Sequence, residues 1–307
     1  MRDTGTLGWI GLGRMGGALA ERLASSGHDI SGYNRTRSKV EHLAGAGVKL
    51  VDLPADLADR DVVFTMVSTA SDLMMVLTGE GGLLTGASKP SILVDLSTVS
   101  PDESEAVRKL LAKHGIEMLV LPVSGNDVVV RAGKLSVIAS GPRATFDRIE
   151  PILRDFGRDL TYVGEGDVAR IIKICHNLFL GLVYEGLAET ALLAEKHGIP
   201  RHLFMQVINR SVMGSTFSGY KTPVIANLDF NVTFTNTLML KDFDLGLKAA
   251  AAHGLPLPAT AAAREVTAEM VATGRGEEDF TAVLDLLARR AGMTLRSENA
   301  DADDGLK

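Results

Sequence analysis

Arg170, Lys173 and Asn177 are spaced by three and four residues, with Tyr184 two turns further on, so on a helix their side chains share one face. Ile171, Ile172, Leu178, Phe179 and Leu182 surround that stripe with apolar side chains. A lysine in such a run reads in two ways: a snorkelling residue whose ammonium reaches water, or an acid/base whose amine is kept dry. Burial and a neighbouring cation such as Arg170 would each lower the amine from its ordinary value of about 10.4 toward neutrality, where it exchanges a proton with a reacting oxygen. Helix geometry alone leaves both readings open.

A second candidate lies near the N-terminus. Trp9-Ile10-Gly11-Leu12-Gly13-Arg14-Met15-Gly16 sets G-x-G-x-x-G after an apolar run and before the helical pattern Ala18 to Leu23. Gly11 suits a tight turn, Gly13 a close approach of backbone to pyrophosphate, and Gly16 the packing of helix on strand, while the helix N-terminus offers N–H groups to an anion. Gly11, Leu12, Gly13, Arg14, Met15 and Gly16 therefore predict a dinucleotide cradle. Roughly 20 residues on, where an NAD site carries Asp or Glu for the ribose 2′-hydroxyl, the chain has Asn34-Arg35-Thr36-Arg37. A carboxylate would repel a 2′-phosphate, whereas Arg35 can grip it and lie against adenine, with Asn34 and Thr36 donating further bonds. NADP is expected rather than NAD; the other reading is that Arg35 and Arg37 begin a solvated helix.

These residues need elements to hold them. Apolar runs at 7–11, 29–33, 62–67, 91–96, 116–121 and 135–140 alternate with amphipathic stretches, which predicts parallel strands joined by helical crossovers. From Asp167 onward helical periodicity takes over, at 167–197, 201–209, 238–253, 258–273 and 279–291. Gly164 and Gly166 punctuate the change, and Asp167 is a candidate N-cap for the long helix. The expected architecture is α/β: an N-terminal Rossmann domain with a doubly wound parallel sheet over 1–163, an all-α domain over 164–295, and a disordered tail over 296–307.

Composition narrows the partners. With 46% hydrophobic and 23% charged residues the 307-residue chain is globular, of about two domains. A net charge of -6 speaks against nucleic acid or an anionic membrane surface as main partner. The single cysteine, Cys175, can form neither an intramolecular disulfide nor a zinc cluster, and no histidine and carboxylate set has metal spacing, so no metal is expected. The polar start before Gly8 does not read as a signal peptide, and the charges along 171–194 suit a buried helix better than a membrane span. A cytoplasmic protein is expected.

Several ordered motifs then point the same way: the cradle Gly11 to Gly16, Asp95-Leu96-Ser97-Thr98 followed by Pro101, Pro122-Val123-Ser124-Gly125, Lys173-Ile174-Cys175-His176-Asn177, and Lys241-Asp242. Across about residues 5 to 295 the chain resembles the β-hydroxyacid dehydrogenases, the group that contains 3-hydroxyisobutyrate dehydrogenase. The resemblance implies hydride transfer between NADP and a small carboxylated alcohol or aldehyde, a 3-hydroxy acid or its semialdehyde, in a cleft between the two domains. It implies Lys173 as the catalytic acid/base, Ser124 and Gly125 with the backbone amide of Asn126 as the carboxylate site, and Asn177 as a substrate contact. It also implies that Met66 and Val67 line the cofactor, that Thr98 lies near the nicotinamide ribose, that Lys241 touches the cofactor, and that the long helix supports a homodimer or homotetramer. Ser97, Ser100 and Asp102 are expected to pack or cap.

Departures bear on substrate. Where the family continues Ser-Gly-Gly, this chain has Ser124-Gly125-Asn126-Asp127; His176 replaces the first of two asparagines; and Asp167-Val168-Ala169 replaces a glycine-rich lead-in. Asn126 is thus expected in the carboxylate pocket or at its edge, and His176 as a packing residue. The rival readings are imine reduction on the same fold, whose enzymes usually replace the lysine retained here, and a non-catalytic cofactor-binding scaffold.

Overall fold

The computed structural model describes residues 5–302. It divides into two compact units between Lys173 and Ile174. The first unit begins with β1 (Leu7–Ile10), α1 (Arg14–Ser25), β2 (Ile30–Tyr33), α2 (His42–Gly45) and β3 (Lys49–Leu50). It continues with β4 (Val62–Thr65), α3 (Ala70–Thr78), β5 (Ile92–Asp95), α4 (Pro101–Ala112) and β6 (Glu117–Val120). It closes with β7 (Val123–Ser124), α5 (Asp127–Arg131), β8 (Ser136–Ser140), α6 (Arg143–Leu153) and β9 (Asp159–Gly164).

The strands form one sheet in the order β3-β2-β1-β4-β5-β6-β8-β7, with β9 on β8. Chain order reverses between β1 and β4, whose parallel register pairs Ile10 with Thr65. That reversal is the Rossmann switch point, where the carboxyl ends of strands diverge and a ligand finds room. Successive strand residues feed opposite faces: Val62, Phe64, Ile92 and Val94 join α1 and α6 in one core, while Val63 and Leu93 join α3 and α4 in the other. The sheet is doubly wound, as the near-continuous apolar strands require.

Its far edge departs from the all-parallel expectation, because β8 runs antiparallel to β6 and β7. Only the five-residue α5 lies between β7 and β8, which is too little chain for a helical crossover. The sequence reading also passes over β9, whose residues are half-buried or exposed and so lack the apolar run that marks the inner strands.

The second unit is built of helices: most of α7 (Val168–Lys196), then α8 (Arg201–Arg210), α9 (Thr216–Asn227), α10 (Asn236–Ala251), α11 (Pro258–Ala272) and α12 (Val283–Arg290). By length and composition α7 would also cross a membrane, a test that core helices pass as well; here its Leu178, Tyr184, Ala188 and Ala191 lie buried in the helical core. α7 and α10 pack closely because of glycine. A Cβ on Gly181 would stand 2.4 Å from the Phe243 ring, and one on Gly246 2.5 Å from Leu178. α9 escapes the sequence reading because Pro223 sits inside it; Ser215 starts it, its Oγ accepting from the Ser218 amide at 3.1 Å.

The expected disordered tail is corrected for its first residues. Glu298 accepts from the amides of Arg201 at 2.7 Å and His202 at 2.8 Å, and Ala300 exchanges two hydrogen bonds with Asn227, each 2.9 Å. A segment without an apolar face is thus held by polar contacts, chiefly a carboxylate on the amide end of α8. Residues 303–307 lie outside the described residues. The compact units also divide ten residues later than the expected 163/164 boundary, since the first turn of α7 is tied into the sheet unit by Arg170.

Candidate functional site

The turn after β1 carries the clearest geometry. The Gly11 amide donates to the Tyr33 carbonyl and the Met66 amide to the Ile10 carbonyl, both at 2.9 Å, so the ends of β2, β1 and β4 are locked side by side. Gly11 has φ +94°, and a Cβ there would stand 2.2 Å from the Met66 carbonyl oxygen. A Cβ on Gly16 would stand 2.0 Å from the Gly11 carbonyl oxygen, which also accepts from Trp9 Nε1 at 3.1 Å. Gly13 differs. It is the N-cap of α1, with φ −64° and no side-chain cap, and a Cβ there would meet nothing within 4 Å.

The loop therefore keeps two glycines for its own backbone and one for something that approaches it. Leu12 is buried in the core and Met15 packs against it, while Arg14 is exposed and no acidic side chain stands in the first turn of α1. An open N-cap with unopposed helix N–H groups fits a pyrophosphate.

Asn34, Arg35 and Thr36 follow β2. Asn34 Nδ2 donates to the Thr36 carbonyl at 2.9 Å and fixes the turn. Arg37 pairs with Asp52 at 2.6 Å and begins a 3₁₀ turn, so the solvated-helix reading suits Arg37. Arg35 stands outside that turn with its side chain 83% exposed and only a 3.4 Å contact to Asp72, leaving its planar fork presentable to an anion.

Met66 and Val67, both half-buried, follow β4; the Val67 amide donates to Ser97 Oγ at 3.0 Å. Thr98 is half-buried just past β5. Ser100 caps α4, its Oγ accepting from the Glu103 amide while the Glu103 carboxylate takes the Ser100 amide, so its expected capping role holds. Residues 11–16, 34–36, 66–67 and 98 thus gather at the carboxyl ends of adjacent strands β2, β1, β4 and β5.

Ser124 ends β7, paired with Ser136. Gly125 has φ +135°, and a Cβ would stand 2.8 Å from Val129, so that position admits glycine alone. Asn126 has a job the sequence reading missed: its Oδ1 accepts from the Val129 amide at 3.0 Å and caps α5. The signal was present: Asn126 stands three residues before the Val129 amide, the spacing of an N-cap.

On α7, Lys173 is half-buried. Arg170, named as the neighbouring cation that could lower the lysine's pKa, spends its charge on other partners. Its side chain is 1% exposed; Nη2 meets Asp95 Oδ2 at 2.9 Å and Nη1 donates to the Ser97 carbonyl at 2.5 Å, so its charge is matched inside the sheet unit. Asp167 does not cap α7 with its side chain either. Its carboxylate accepts from Ser104 at 2.8 Å and Arg108 at 2.7 Å, while Ser140 Oγ takes the Ala169 amide at 3.1 Å.

In the helical unit Asn177 is buried and its Nδ2 donates to Asp242 Oδ2 at 2.5 Å; Lys241 Nζ lies 3.7 Å from Asp242 Oδ1. Asp242 thus joins two residues that the sequence reading assigned separately. His176 Nδ1 lies 3.1 Å from Asn177 Oδ1. Tyr184 leaves the stripe for the core, where its hydroxyl donates to the Thr281 carbonyl at 2.7 Å and burial, then the Asp279 charge, pushes its pKa well above the usual value.

Residues 6–164 match the family described as the NAD binding domain of 6-phosphogluconate dehydrogenase, and residues 164–287 match the one described as NAD-binding of NADP-dependent 3-hydroxyisobutyrate dehydrogenase. The chain is 30% identical over 291 residues to 2-(hydroxymethyl)glutarate dehydrogenase of Eubacterium barkeri, covering 94% of this chain and 97% of the relative. It belongs to the β-hydroxyacid dehydrogenase family. Among solved structures, Mycobacterium tuberculosis 3-hydroxyisobutyrate dehydrogenase with L-serine superposes with a TM-score of 0.79 at 29% identity, over 92% of this chain and 99% of that one. Psf3 in complex with NADP+ and 2-OPP superposes with a TM-score of 0.81 at 26% identity, over 92% and 100%. The sheet unit is accordingly a pyridine-nucleotide-binding domain.

Proposed function

We propose that the chain is an NADP-dependent oxidoreductase that moves a hydride between the nicotinamide and a small 3-hydroxy acid or the corresponding semialdehyde, with Lys173 as general acid/base. The observation that carries this reading is the tie between the lysine's helical turn and the cofactor edge. Arg170, one turn before Lys173, is bonded to Asp95 and to the Ser97 carbonyl, next to Thr98, and Ser97 Oγ takes the Val67 amide. A bound nicotinamide supplies or takes up the hydride. In reduction the Lys173 ammonium gives a proton to the oxygen that develops negative charge; in oxidation its neutral amine removes the hydroxyl proton.

Ser124 Oγ and the amides of Gly125 and Asn126 hold the carboxylate in this account, with Asn126 acting through its backbone because its side-chain oxygen caps α5. Asn177 is the proposed substrate contact and Lys241 a cofactor contact, both steadied by Asp242. The cradle residues receive the pyrophosphate, and Arg35 with Asn34 and Thr36 the 2′-phosphate, which supports NADP over NAD; the relative solved with NADP+ is in keeping with this. A cytoplasmic homodimer or homotetramer is part of the proposal, supported by the exposed apolar Ile171, Ile172, Phe179 and Leu193 of α7. The net charge of -6 supports a small molecule rather than nucleic acid or a membrane as partner.

The test is oxidation or reduction of NADP(H) and NAD(H) across 3-hydroxy acids, short semialdehydes and cyclic imines, with wild type and Lys173→Ala. Turnover of a semialdehyde or hydroxy acid, lost in Lys173→Ala, is the expected result. Turnover of imines alone, indifferent to the substitution, would make the chain an imine reductase; nucleotide binding with no turnover would make it a scaffold.

A further inference from the structure

We propose that Arg170 is a positioning residue whose guanidinium couples nucleotide binding at the strand ends to the placement of Lys173, an inference that rests on the reading of Lys173 given above. Stability alone gives such a pair little reason to exist. Asp95 and Arg170 are both almost wholly buried, at 0% and 1% exposure of their side chains. Removing two ions from water costs as much as their attraction returns, and apolar side chains of similar volume commonly serve a core equally well. What a buried fork supplies that apolar residues do not is direction.

The direction here is specific. Asp95 ends β5, and its Oδ1 accepts from Thr65 Oγ1, the end of β4, at 2.8 Å and from the Ser97 amide at 3.2 Å. Its Oδ2 receives Arg170 Nη2, while Nη1 takes the Ser97 carbonyl. One guanidinium therefore closes the 95–97 turn from both ends. Ser97 Oγ carries the order onward to the Val67 amide, beside Met66, whose carbonyl lies against Gly11.

On its other side the same guanidinium belongs to the first turn of α7. Lys173 follows three residues later, on the same face. Ser140 and the Asp167 carboxylate pin the start of that helix to β8 and α4, so rotation of the first turn is opposed from three directions. A nucleotide that tightens the turns after β4 and β5 thereby tightens the turn that carries Lys173, and by reciprocity an ordered α7 favours the nucleotide.

The full-length protein is the test object, with Arg170→Gln, Arg170→Lys and the double Asp95→Asn/Arg170→Gln. The double removes both charges together, so it avoids the buried carboxylate that the single variant leaves without its partner. Three readouts apply: NADPH affinity by nicotinamide fluorescence, hydrogen exchange of the peptide spanning 168–173 with and without NADPH, and the division of any activity loss between kcat and KM. In wild type NADPH is expected to slow exchange across 168–173. In Arg170→Gln, and in the double variant, that slowing disappears, NADPH affinity falls about tenfold, and kcat falls more than the substrate KM rises; Arg170→Lys, which can still reach Asp95, recovers part of each. NADPH affinity and nucleotide-dependent exchange equal to wild type in a folded variant would overturn the clamp. Turnover left intact by Lys173→Ala, together with an Arg170→Gln variant that still uncouples nucleotide from exchange in the first turn of α7, would sink the catalytic reading of Lys173 and leave the clamp standing.

Discussion

Three glycines of the cradle are chemically identical and physically different, and alanine at two of them separates folding from binding. Gly13 has φ −64° and ψ −166°, ordinary for alanine, and its added methyl meets nothing within 4 Å. Alanine is a poorer N-cap than glycine by about 0.5 kcal/mol, and the stiffer unfolded chain returns about as much. Gly13→Ala should therefore melt within about 3 °C of wild type. The same methyl occupies the approach of a pyrophosphate, and displacing one or two charge-assisted phosphate bonds, each worth about 1.5–3 kcal/mol, forfeits roughly 2–4 kcal/mol. That corresponds to about 30- to 1,000-fold weaker NADPH binding. In Gly16→Ala the methyl would instead lie 2.0 Å from the Gly11 carbonyl oxygen, backbone against backbone, at a cost of about 3 kcal/mol or more. Scanning calorimetry and fluorescence titration of NADPH on both variants read the two effects. Gly13→Ala that binds NADPH as tightly as wild type would refute a phosphate at this N-cap, and Gly16→Ala that melts with wild type would refute the close approach.

Arg35→Ser should lower the NADPH-over-NADH affinity ratio about 10- to 100-fold without moving the melting temperature, since the side chain is 83% exposed; paired titrations check it. Glu185 has its pKa pushed up to about 7, first by burial and then by the Glu189 charge, with Arg290 pulling the other way. Its contribution is complete below 4.5 and lost as pH rises through about 7, so wild type loses stability across that window, and Glu185→Gln, which cannot ionise, should melt higher than wild type at pH 8. For Asp279, burial raises the carboxyl, but the Lys221 charge at 3.9 Å and hydrogen bonds from Thr281 and Thr233 outweigh it and hold the pKa below 3.8. Its stabilisation is present above 3.8 and lost as pH falls through the folded value; Asp279→Asn should cost about 3–5 kcal/mol at neutral pH and flatten the acid limb of a denaturation series.

The residues that could be read from sequence are those whose chemistry is local. Gly11, Gly13 and Gly16 announce a turn because a turn is made by neighbours, and apolar runs announce strands buried on both faces. β9 and α9 stay silent for the same reason: one has no continuous apolar run, the other carries Pro223 in its middle. Contacts of long separation are beyond any local pattern. Asp95 and Arg170 stand 75 residues apart, and only an aspartate closing the apolar run Ile92-Leu93-Val94 hints that a buried cation must be found for it. The same separation hides Asp242 from Asn177, and it turns the tail around Glu298, polar throughout, from an expected loose end into a cap on α8. Asn126 shows the converse. Read as a group for substrate, its side-chain oxygen is spent on the helix that follows it.

Single-turnover reduction of a short semialdehyde by saturating NADPH in Lys173→Ala reads directly whether the Lys173 amine exchanges the proton. Hydride transfer about 100- to 10,000-fold slower than wild type, with NADPH affinity unchanged, is the predicted result. A transfer rate equal to that of wild type would contradict it.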